Sequence, residues 1–484
     1  MGLKEKTASS IKWNTLATVA TMIIGILQVA ILTRLLDKSD FGLIAIATMV
    51  IAFTDIFAEL GIAAALIHKQ NITNDVYASV YWLNIGMSIT ISGLTMLGAP
   101  LVASFYEQPE LTLIIRLLSL KIILTAFGKI FQTIKTKNLE FEFISKVKIL
   151  TSIIGIVTST ALAWLGVGVM SLVWGQLAQI AINQGTYAIA GMRQMRLSLH
   201  FSLSEVKDVL KIGGFQIGTQ VLDFIAARLD VFLIGKFFSM EELGVYNIAK
   251  ELIVKPYTTI NSISSSVFSA SFAKIQSDIK LVVSSFLKLI RTVTMLSVPI
   301  YAVMFIFADL IVAMLYAPSF ADVAIFIRIM SVLGICSMIT SQGSSVMIAY
   351  GRTDLGLYWT VARIVMTTGV LLLTARMSLQ ALSLGQSLLS IVSIFVYYLI
   401  VLRPILIDIS VTKYTESFCG IALGLLLIAF PFAIINMVVD VTIFLQILMG
   451  VAFAGLCFLY LIRTQNDIFV EVLSLIKKRD RDTP

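Results

Sequence analysis

Seven basic residues interrupt apolar stretches that are otherwise long enough to cross a membrane. A charged side chain at the centre of a bilayer costs at least about 2.5–3.5 kcal/mol, so such residues usually face a wet cavity or a charged partner. Arginine and lysine at this depth could bind an anionic group on its way through the bilayer. The candidate binding residues are Arg328, Arg363, Arg228, Lys250, Lys255, Lys121 and Arg116.

The alternative is that these charges pair within the protein. Glu251 precedes Lys255 by four residues, so one helix face could neutralise itself. Arg116, near the start of a helix, could extend its charged end toward the membrane surface. Arg328 and Arg363 have no acidic residue within four positions on their own helices and are therefore the stronger candidates. Both interpretations stay open for each residue, while the group as a whole favours a cationic cavity.

Two carboxylates, Asp55 and Glu59, lie one helical turn apart in the second apolar stretch. Like charges repel, so the pair could share a proton or bind a cation, which would couple transport to H⁺ or Na⁺. Asp223 and Asp230 lie seven residues apart on one face of another helix and are further candidates for ion coupling. The alternative for all four residues is an ion pair with a basic residue on a neighbouring helix.

The elements that must position these residues are membrane-spanning helices. Hydrophobic residues make up 58% of the 484 and charged residues only 13%, far from the composition of soluble domains. Apolar runs of about 20 residues predict an all-α integral membrane protein with about fourteen transmembrane helices. The predicted helices are approximately 12–35, 42–67, 79–105, 111–137, 141–164, 167–190, 209–235, 243–272, 286–308, 322–350, 354–375, 378–402, 415–438 and 441–462.

One segment occurs twice. The hairpin 33–47, TRLLDKSDFGLIAIA, aligns with 235–249, GKFFSMEELGVYNIA, which pairs Arg34 with Lys236 and Gly42 with Gly244. The repeat predicts two six-helix lobes related by a pseudo-twofold axis, an arrangement common in transporters that work by alternating access. The predicted divisions are a first lobe 1–190, a cytoplasmic linker 191–208, a second lobe 209–402, two appended helices in 403–463 and a cytoplasmic tail 464–484.

Basic residues are distributed unevenly between alternate loops. Most of the 36 Lys and Arg residues fall on the side of the N-terminus and of every second loop. The positive-inside rule therefore predicts that both termini are cytoplasmic. We assign the net charge of +8 to this inner surface, where anionic lipids would be partners, and not to nucleic-acid binding.

Several kinds of chemistry lack the residues they need. The sequence has no GxxxxGK[ST] loop for ATP and no Ser/His/Asp set for nucleophilic catalysis. Its two histidines, His68 and His200, lie in predicted loops and its three cysteines in apolar runs, so neither residue type predicts a metal site. The sequence therefore predicts a protein that is not an enzyme and has no cofactor or metal.

Several segments, in order along the chain, resemble the polysaccharide transporter family, the Wzx-type flippases of lipid-linked oligosaccharides within the multidrug/oligosaccharidyl-lipid/polysaccharide (MOP) superfamily. The resemblance is greatest to the colanic acid exporter branch. The chain differs from the family pattern at Ala270, where proline is usual shortly before the FAKIQ motif. The segments that carry the resemblance are LKEKTASSIKW, LTRLLDKSDFGL, DIFAELGIAAALI, YWLNIG, LEFEFI, LHFSL and FAKIQSD.

This resemblance implies a MOP- or MATE-like fold that moves undecaprenyl diphosphate-linked oligosaccharide units across a bacterial inner membrane. It further implies that polysaccharide polymerase and chain-length machinery are partners. Two other functions were weighed against it. A cation-coupled MATE-like exporter of small molecules would be expected to carry an acidic residue in each lobe, and the first predicted helix has none. A membrane-embedded glycosyltransferase or polymerase would need a large loop outside the membrane, which this sequence lacks.

Overall fold

The computed structural model describes residues 3–59, 73–195, 198–374, 376–438 and 442–464. Within these ranges all regular secondary structure is helical, which confirms the predicted fold class. The helices are α1 (Leu3–Leu32), α2 (Lys38–Glu59), α3 (Asn74–Tyr106), α4 (Glu110–Lys137), α5 (Phe141–Trp164), α6 (Met170–Gln194), α7 (Leu203–Phe237), α8 (Met240–Ile275), α9 (Ile279–Ile306), α10 (Ala308–Leu315), α11 (Val323–Ser341), α12 (Gly343–Ala349), α13 (Thr353–Thr374), α14 (Leu379–Tyr397), α15 (Val411–Val438) and α16 (Ile443–Thr464).

Eleven helical segments in the described chain are long and apolar enough to cross a membrane, so this is a multi-pass membrane protein. Two of these segments join shorter helices, 323–349 across α11 and α12 and 379–405 across α14 and a π-helical turn. Helices α6, α7 and α8 contain 25, 35 and 36 residues and also have the length to span, although they are more polar. Together these segments match the fourteen predicted helices.

The chain divides into two compact units. The first comprises Met1–Ile248, Leu315–Phe320 and Thr367–Leu379, and the second comprises Ala249–Met314, Ala321–Met366 and Gln380–Pro484. In the first unit α2 packs against α3, α4 and α7, and in the second α9 packs against α11 and α15. The predicted lobe boundaries, 1–190 and 209–402, stay a prediction.

The two copies of the repeated hairpin begin their second helices at equivalent residues, Lys38 and Met240. In each copy an acidic residue accepts a hydrogen bond from a backbone N–H three positions earlier. The Asp37 N–H donates to Asp40 Oδ2 at 3.1 Å, and the Ser239 N–H donates to Glu242 Oε2 at 3.0 Å. A carboxylate in this place satisfies an N–H that the first helical turn leaves without a partner. This shared function explains why the repeat keeps an acid there.

The two hairpins also pack against each other through their paired glycines. A Cβ added to Gly42 would collide with the Met240 carbonyl oxygen, and one added to Gly244 would collide with the Lys38 carbonyl oxygen. Because residues 38 and 240 are themselves equivalent in the repeat, the contact is reciprocal. Such a contact is what a local twofold axis produces. The glycines are therefore needed for close approach of two backbones.

The paired basic residues show the same reciprocity. Arg34, in the first copy, donates from Nη1 to the Leu315 carbonyl oxygen at 3.1 Å. Lys236, in the second copy, donates from Nζ to the Phe105 carbonyl oxygen at 2.8 Å and to Glu107 Oε1 at 3.1 Å. Each basic residue thus binds the segment that follows the third span of the other half. These contacts, all within the first unit, support the predicted repeat.

One predicted span contains a local irregularity. The sequence predicts a single helix over 322–350, and residues 323–349 form one span, in which Gln342 separates α11 from α12 but keeps right-handed helical backbone angles (φ −67°, ψ −24°). Some features of the sequence lie outside the described residues or side chains: the end of the predicted helix 42–67, His68, the side chains of Glu59 and Ala270, and the predicted tail after Thr464.

Candidate functional site

Asp55 of α2 and Lys121 of α4 form an ion pair in the first unit, with 3.6 Å between Lys121 Nζ and Asp55 Oδ2. Each side chain is 31% exposed, so both are partly shielded from water. This geometry matches the alternative that the sequence left open for Asp55, a structural pair with a neighbouring helix. The ion pair does not test whether Asp55 couples transport to an ion or whether Lys121 binds the substrate.

Exchanging the charges of Asp55 and Lys121 tests whether the two residues form a structural ion pair or a binding site. We expect Asp55→Asn and Lys121→Gln each to lower the melting temperature of the purified protein, because each removes one partner of a partly buried ion pair. The loss should lie between about 1 kcal/mol, typical of exposed pairs, and about 3–5 kcal/mol for buried ones. The double exchange Asp55→Lys with Lys121→Asp should restore both stability and transport.

The Glu142–Lys146 ion pair provides the control for this exchange. Its side chains are 55% and 63% exposed and lie one turn apart on α5, so its double exchange should cost at most about 1 kcal/mol, including the contact of Lys146 Nζ with the Trp13 ring, 5.4 Å from the ring centroid. An Asp55–Lys121 exchange variant that is stable but inactive would contradict the structural interpretation and return both residues to the transport site.

The remaining candidates of the first unit occupy different environments. Asp230 is 6% exposed, and its Oδ2 accepts a hydrogen bond of 2.5 Å from the Tyr246 hydroxyl. Asp223 is exposed and Arg228 half-buried on the same helix, α7. Arg116 is exposed and donates from Nε to the Met96 carbonyl oxygen at 3.3 Å. Asp230 is therefore the most enclosed acidic candidate in the described chain.

Arg328 of α11 forms an ion pair with Asp309 of α10, in the second unit. The Arg328 side chain is 27% exposed and that of Asp309 60% exposed. The absence of an acid within four residues of Arg328 was thus a poor guide, because its partner lies 19 positions earlier in the chain. Arg328 could still bind a substrate, but only by leaving or sharing this carboxylate.

Arg363 of α13 is half-buried and, in the part of the chain that the structure describes, has no ion pair. Its Nε is buried and has no hydrogen-bond partner there. The guanidinium interacts electrostatically with Tyr257 of α8. Because a buried N–H is costly to leave unsatisfied, Arg363 has hydrogen-bonding capacity available for a ligand.

Lys250 and Lys255, also on α8, are both half-buried. Glu251 acts electrostatically on Lys255, as the four-residue spacing predicts, but the two described side chains form no direct ion pair. Pro256 lies inside α8, which continues through it to Ile275. The second unit therefore presents two basic side chains, Arg363 and Lys255, without an ion pair among the described residues.

Two features of this region were missed by considering charges alone. Trp359 lies four residues before Arg363 and shares its helix face, and Tyr257 lies two residues after Lys255. The four-residue spacing of Trp359 and Arg363 was the available signal. Over the described ranges, no group of three or more His, Cys, Asp or Glu residues could hold a metal ion.

Comparisons with known proteins agree with this arrangement of helices. Residues 31–325 match the model of a family described as "Polysaccharide biosynthesis protein". The "Lipopolysaccharide biosynthesis protein WzxC" of Escherichia coli is 25% identical over 84% of this chain and 83% of its own length. The "Teichuronic acid biosynthesis protein TuaB" of Bacillus subtilis is 25% identical over 94% of both chains.

Two solved structures have a similar fold. "Lipid II flippase MurJ, inward closed conformation" matches 93% of this chain and 98% of its own, with a TM-score of 0.75 and 13% identity. A multidrug resistance MATE family transporter of the MOP superfamily, in an inward-facing conformation, matches 82% of this chain and 94% of its own, with a TM-score of 0.57 and 16% identity. At these identities the likeness concerns the fold alone, and it confirms the predicted MOP-like architecture.

Proposed function

Because this chain belongs to the polysaccharide biosynthesis protein family, we propose that it is a flippase for undecaprenyl diphosphate-linked oligosaccharide repeat units. It moves them across the bacterial inner membrane by alternating access, for the synthesis of capsule, exopolysaccharide or O-antigen. The family match agrees with the resemblance found in the sequence. Among the relatives, WzxC and TuaB bear the names of biosynthesis proteins for lipopolysaccharide and teichuronic acid.

The observation that carries the proposal is the basic side chain of Arg363, half-buried on a spanning helix without an ion pair in the described chain. An anionic, hydrogen-bonding substrate would compensate the cost of keeping this cation in a low-dielectric environment. The lipid tail could remain in the bilayer while the glycan and its diphosphate pass through the protein.

We further propose the membrane setting of this reaction. Both termini face the cytoplasm, and the basic cytoplasmic surface contacts anionic lipids. Polysaccharide polymerase and chain-length machinery receive the translocated units. The chain makes and breaks no covalent bond in its substrate and needs no cofactor. It could be driven by H⁺ or Na⁺ through one of its acidic candidates, of which Asp230 is the most enclosed among those whose side chains the structure describes.

The alternative, a cation-coupled exporter of small molecules, has less support. Asp55 is already ion-paired with Lys121, and the membrane part of α1, from Lys12 to Leu32, contains no carboxylate. Such an exporter would confer drug resistance when overproduced, which offers a direct comparison between the two functions.

A leaflet-accessibility assay tests the proposed function. Proteoliposomes carry an undecaprenyl diphosphate-linked oligosaccharide with a radiolabelled sugar, and periodate, which does not cross the membrane, oxidises only the sugars of the outer leaflet. We expect the protein to make the inner-leaflet fraction accessible over time, because it exchanges the lipid between leaflets. Vesicles loaded with a fluorescent dye control for leakage. An inner-leaflet fraction that stays protected in sealed vesicles would refute the flippase.

A further inference from the structure

We propose that Trp359, Arg363, Tyr257, Asn261 and Gln342 form a subsite in the second unit that binds a sugar ring of the transported glycan. The inference rests on the proposed function, and it assigns the Nε–H of Arg363 to a sugar oxygen, which leaves the charge of the guanidinium to the anionic part of the substrate. It follows from an aromatic surface beside the junction of α11 and α12 and from buried polar atoms of the same unit that have no partners in the described chain.

The aromatic surface is built from Trp359 of α13 and Tyr397 of α14. Their ring centroids lie 5.0 Å apart and the rings are nearly perpendicular, at 82°. Tyr397 is only 3% exposed, and its hydroxyl lies so close to the backbone at Gly343 that a Cβ there would collide with it. Trp359 packs at nearly a right angle to this fixed ring and is half-buried. A tryptophan face of this kind can pack against the C–H face of a pyranose.

The polar residues of the proposed subsite begin at the junction between α11 and α12. Gln342 is 1% exposed, and its Nε2 donates to the Met338 carbonyl oxygen at 3.1 Å and to Ser341 Oγ at 2.9 Å. These two bonds fix the orientation of the amide, whose Oε1 is buried and has no partner within the described chain. Ser345 Oγ, on the first turn of α12, is also buried and has no hydrogen-bond partner within the described chain.

Helix α8 contributes a second face. Tyr257 and Asn261 lie four residues apart and share one side of the helix. Asn261 Oδ1 is buried and, as far as the described residues extend, has no hydrogen-bond partner. Tyr257 of this face is within electrostatic range of both Arg363 and Tyr397, the residues of α13 and α14 that carry the guanidinium and support the aromatic surface.

The kind of unsatisfied atom identifies the ligand. The amide oxygens of Gln342 and Asn261 can only accept hydrogen bonds, whereas Arg363 Nε can only donate one. A fully ionised diphosphate ester offers acceptors but no donors, so it could satisfy the arginine and would leave both amide oxygens unpaired. A sugar hydroxyl both donates and accepts, and several lie around one ring. The set of acceptors, donor and aromatic face thus fits a pyranose better than a phosphate.

A binding comparison with and without the sugar tests this assignment. The full-length protein in nanodiscs is titrated calorimetrically with farnesyl diphosphate and with the same lipid diphosphate carrying glucose, galactose or N-acetylglucosamine. We expect at least one glycosylated probe to bind about tenfold more tightly than farnesyl diphosphate, the equivalent of one or two added hydrogen bonds. Trp359→Ala and Gln342→Leu should each reduce this preference to about twofold or less and leave the affinity for farnesyl diphosphate unchanged.

Two further variants keep the test decisive. Trp359→Phe retains an aromatic face, so it should recover part of the preference even if the alanine variant folds poorly. Trp174→Ala, on α6 in the first unit, removes a half-exposed tryptophan elsewhere and should change neither affinity.

The possible failures are distinguishable. Equal affinity for all four probes, or a Trp359→Ala variant that weakens all of them alike, would overturn the sugar subsite and leave the flippase proposal standing. If the wild-type protein binds none of the probes and also fails the leaflet assay, the proposed function falls and the subsite falls with it.

Discussion

Replacing Gly42 or Gly244 with alanine is expected to destabilise the protein and to reduce glycan export strongly. A Cβ at either position would collide with a backbone carbonyl oxygen of the other hairpin, at Met240 or at Lys38. Overpacking usually costs about 1–3 kcal/mol, and a backbone atom can yield less than a side chain. With an unfolding entropy of about 2.1 cal/mol/K per residue over 484 residues, such a cost corresponds to a fall of roughly 1–3 °C in melting temperature.

The expected direction of the change in stability distinguishes this prediction from an ordinary glycine-to-alanine substitution in a helix. Alanine is the better helix former by about 0.8–1.0 kcal/mol, so at a glycine inside a helix it should stabilise unless something blocks the added methyl group. Gly86, inside α3 of the same unit, has nothing within 4 Å of an added Cβ and provides the matched control. Gly86→Ala should therefore keep or raise the melting temperature. A Gly42→Ala variant as stable and active as Gly86→Ala would show that the hairpins do not pack in this way.

The readout should separate folding from function. Thermal unfolding of the purified protein gives stability, and surface glycan in a strain that depends on this protein gives export. Accessibility of a cysteine at Ser39 to a membrane-impermeant maleimide, after Cys336, Cys419 and Cys457 are replaced by serine, reports whether the hairpins still meet. We expect more labelling in Gly42→Ala than in the parent, because the added methyl group forces the two backbones apart.

The number of helices and the repeat could be predicted from the sequence because both depend on local patterns. Apolar runs of bilayer length fix the spans, and a hairpin repeats its signals where each helix needs the same cap. The acid at Asp40 and Glu242 illustrates this, since each residue caps the helix on which it lies. The sequence could not reveal that the two glycines face each other, because nothing local distinguishes a packing glycine from a tolerated one.

The candidate site was harder to predict because its contacts join residues far apart in sequence. Spacing along one helix identified Glu251 as a neighbour of Lys255 but could not identify Asp309 as the partner of Arg328, or Lys121 as that of Asp55. From the sequence, Arg328 and Arg363 are therefore equally strong candidates for substrate binding. The tertiary contacts distinguish them, because only Arg328 has an ion pair among the described residues.

The ion pairs of these candidate residues predict a difference in charge between the described parts of the two units. In the first unit Asp55 and Lys121 neutralise each other, whereas Arg363 and Lys255 of the second have no ion pair among the described residues. The sequence predicts the same asymmetry, because the first repeat copy continues to an acid and the second to lysines. A polar, anionic substrate should accordingly depend more on the basic side chains of the second unit.

Replacing Arg363 with alanine is expected to reduce surface glycan at least tenfold while the protein still accumulates in the membrane. The loss follows from removing a charged hydrogen-bond donor from the substrate, worth about 1.5–3 kcal/mol, or roughly 10- to 150-fold. Arg363→Lys should recover little of the export, because lysine keeps the charge but lacks the Nε–H and the planar guanidinium. Surface glycan is measured by quantitative blotting and normalised to the amount of membrane protein.

Two other arginines show whether this effect is specific. Arg376→Ala removes an exposed arginine from the turn before α14 and should leave export unchanged. Arg328→Ala removes the partner of Asp309, whose side chain is 60% exposed, so it should change the melting temperature little, and a loss of export would report on the arginine itself. If Arg363→Lys exports as well as the parent, charge alone is sufficient at this position, and Arg363 contacts the diphosphate and not the sugar.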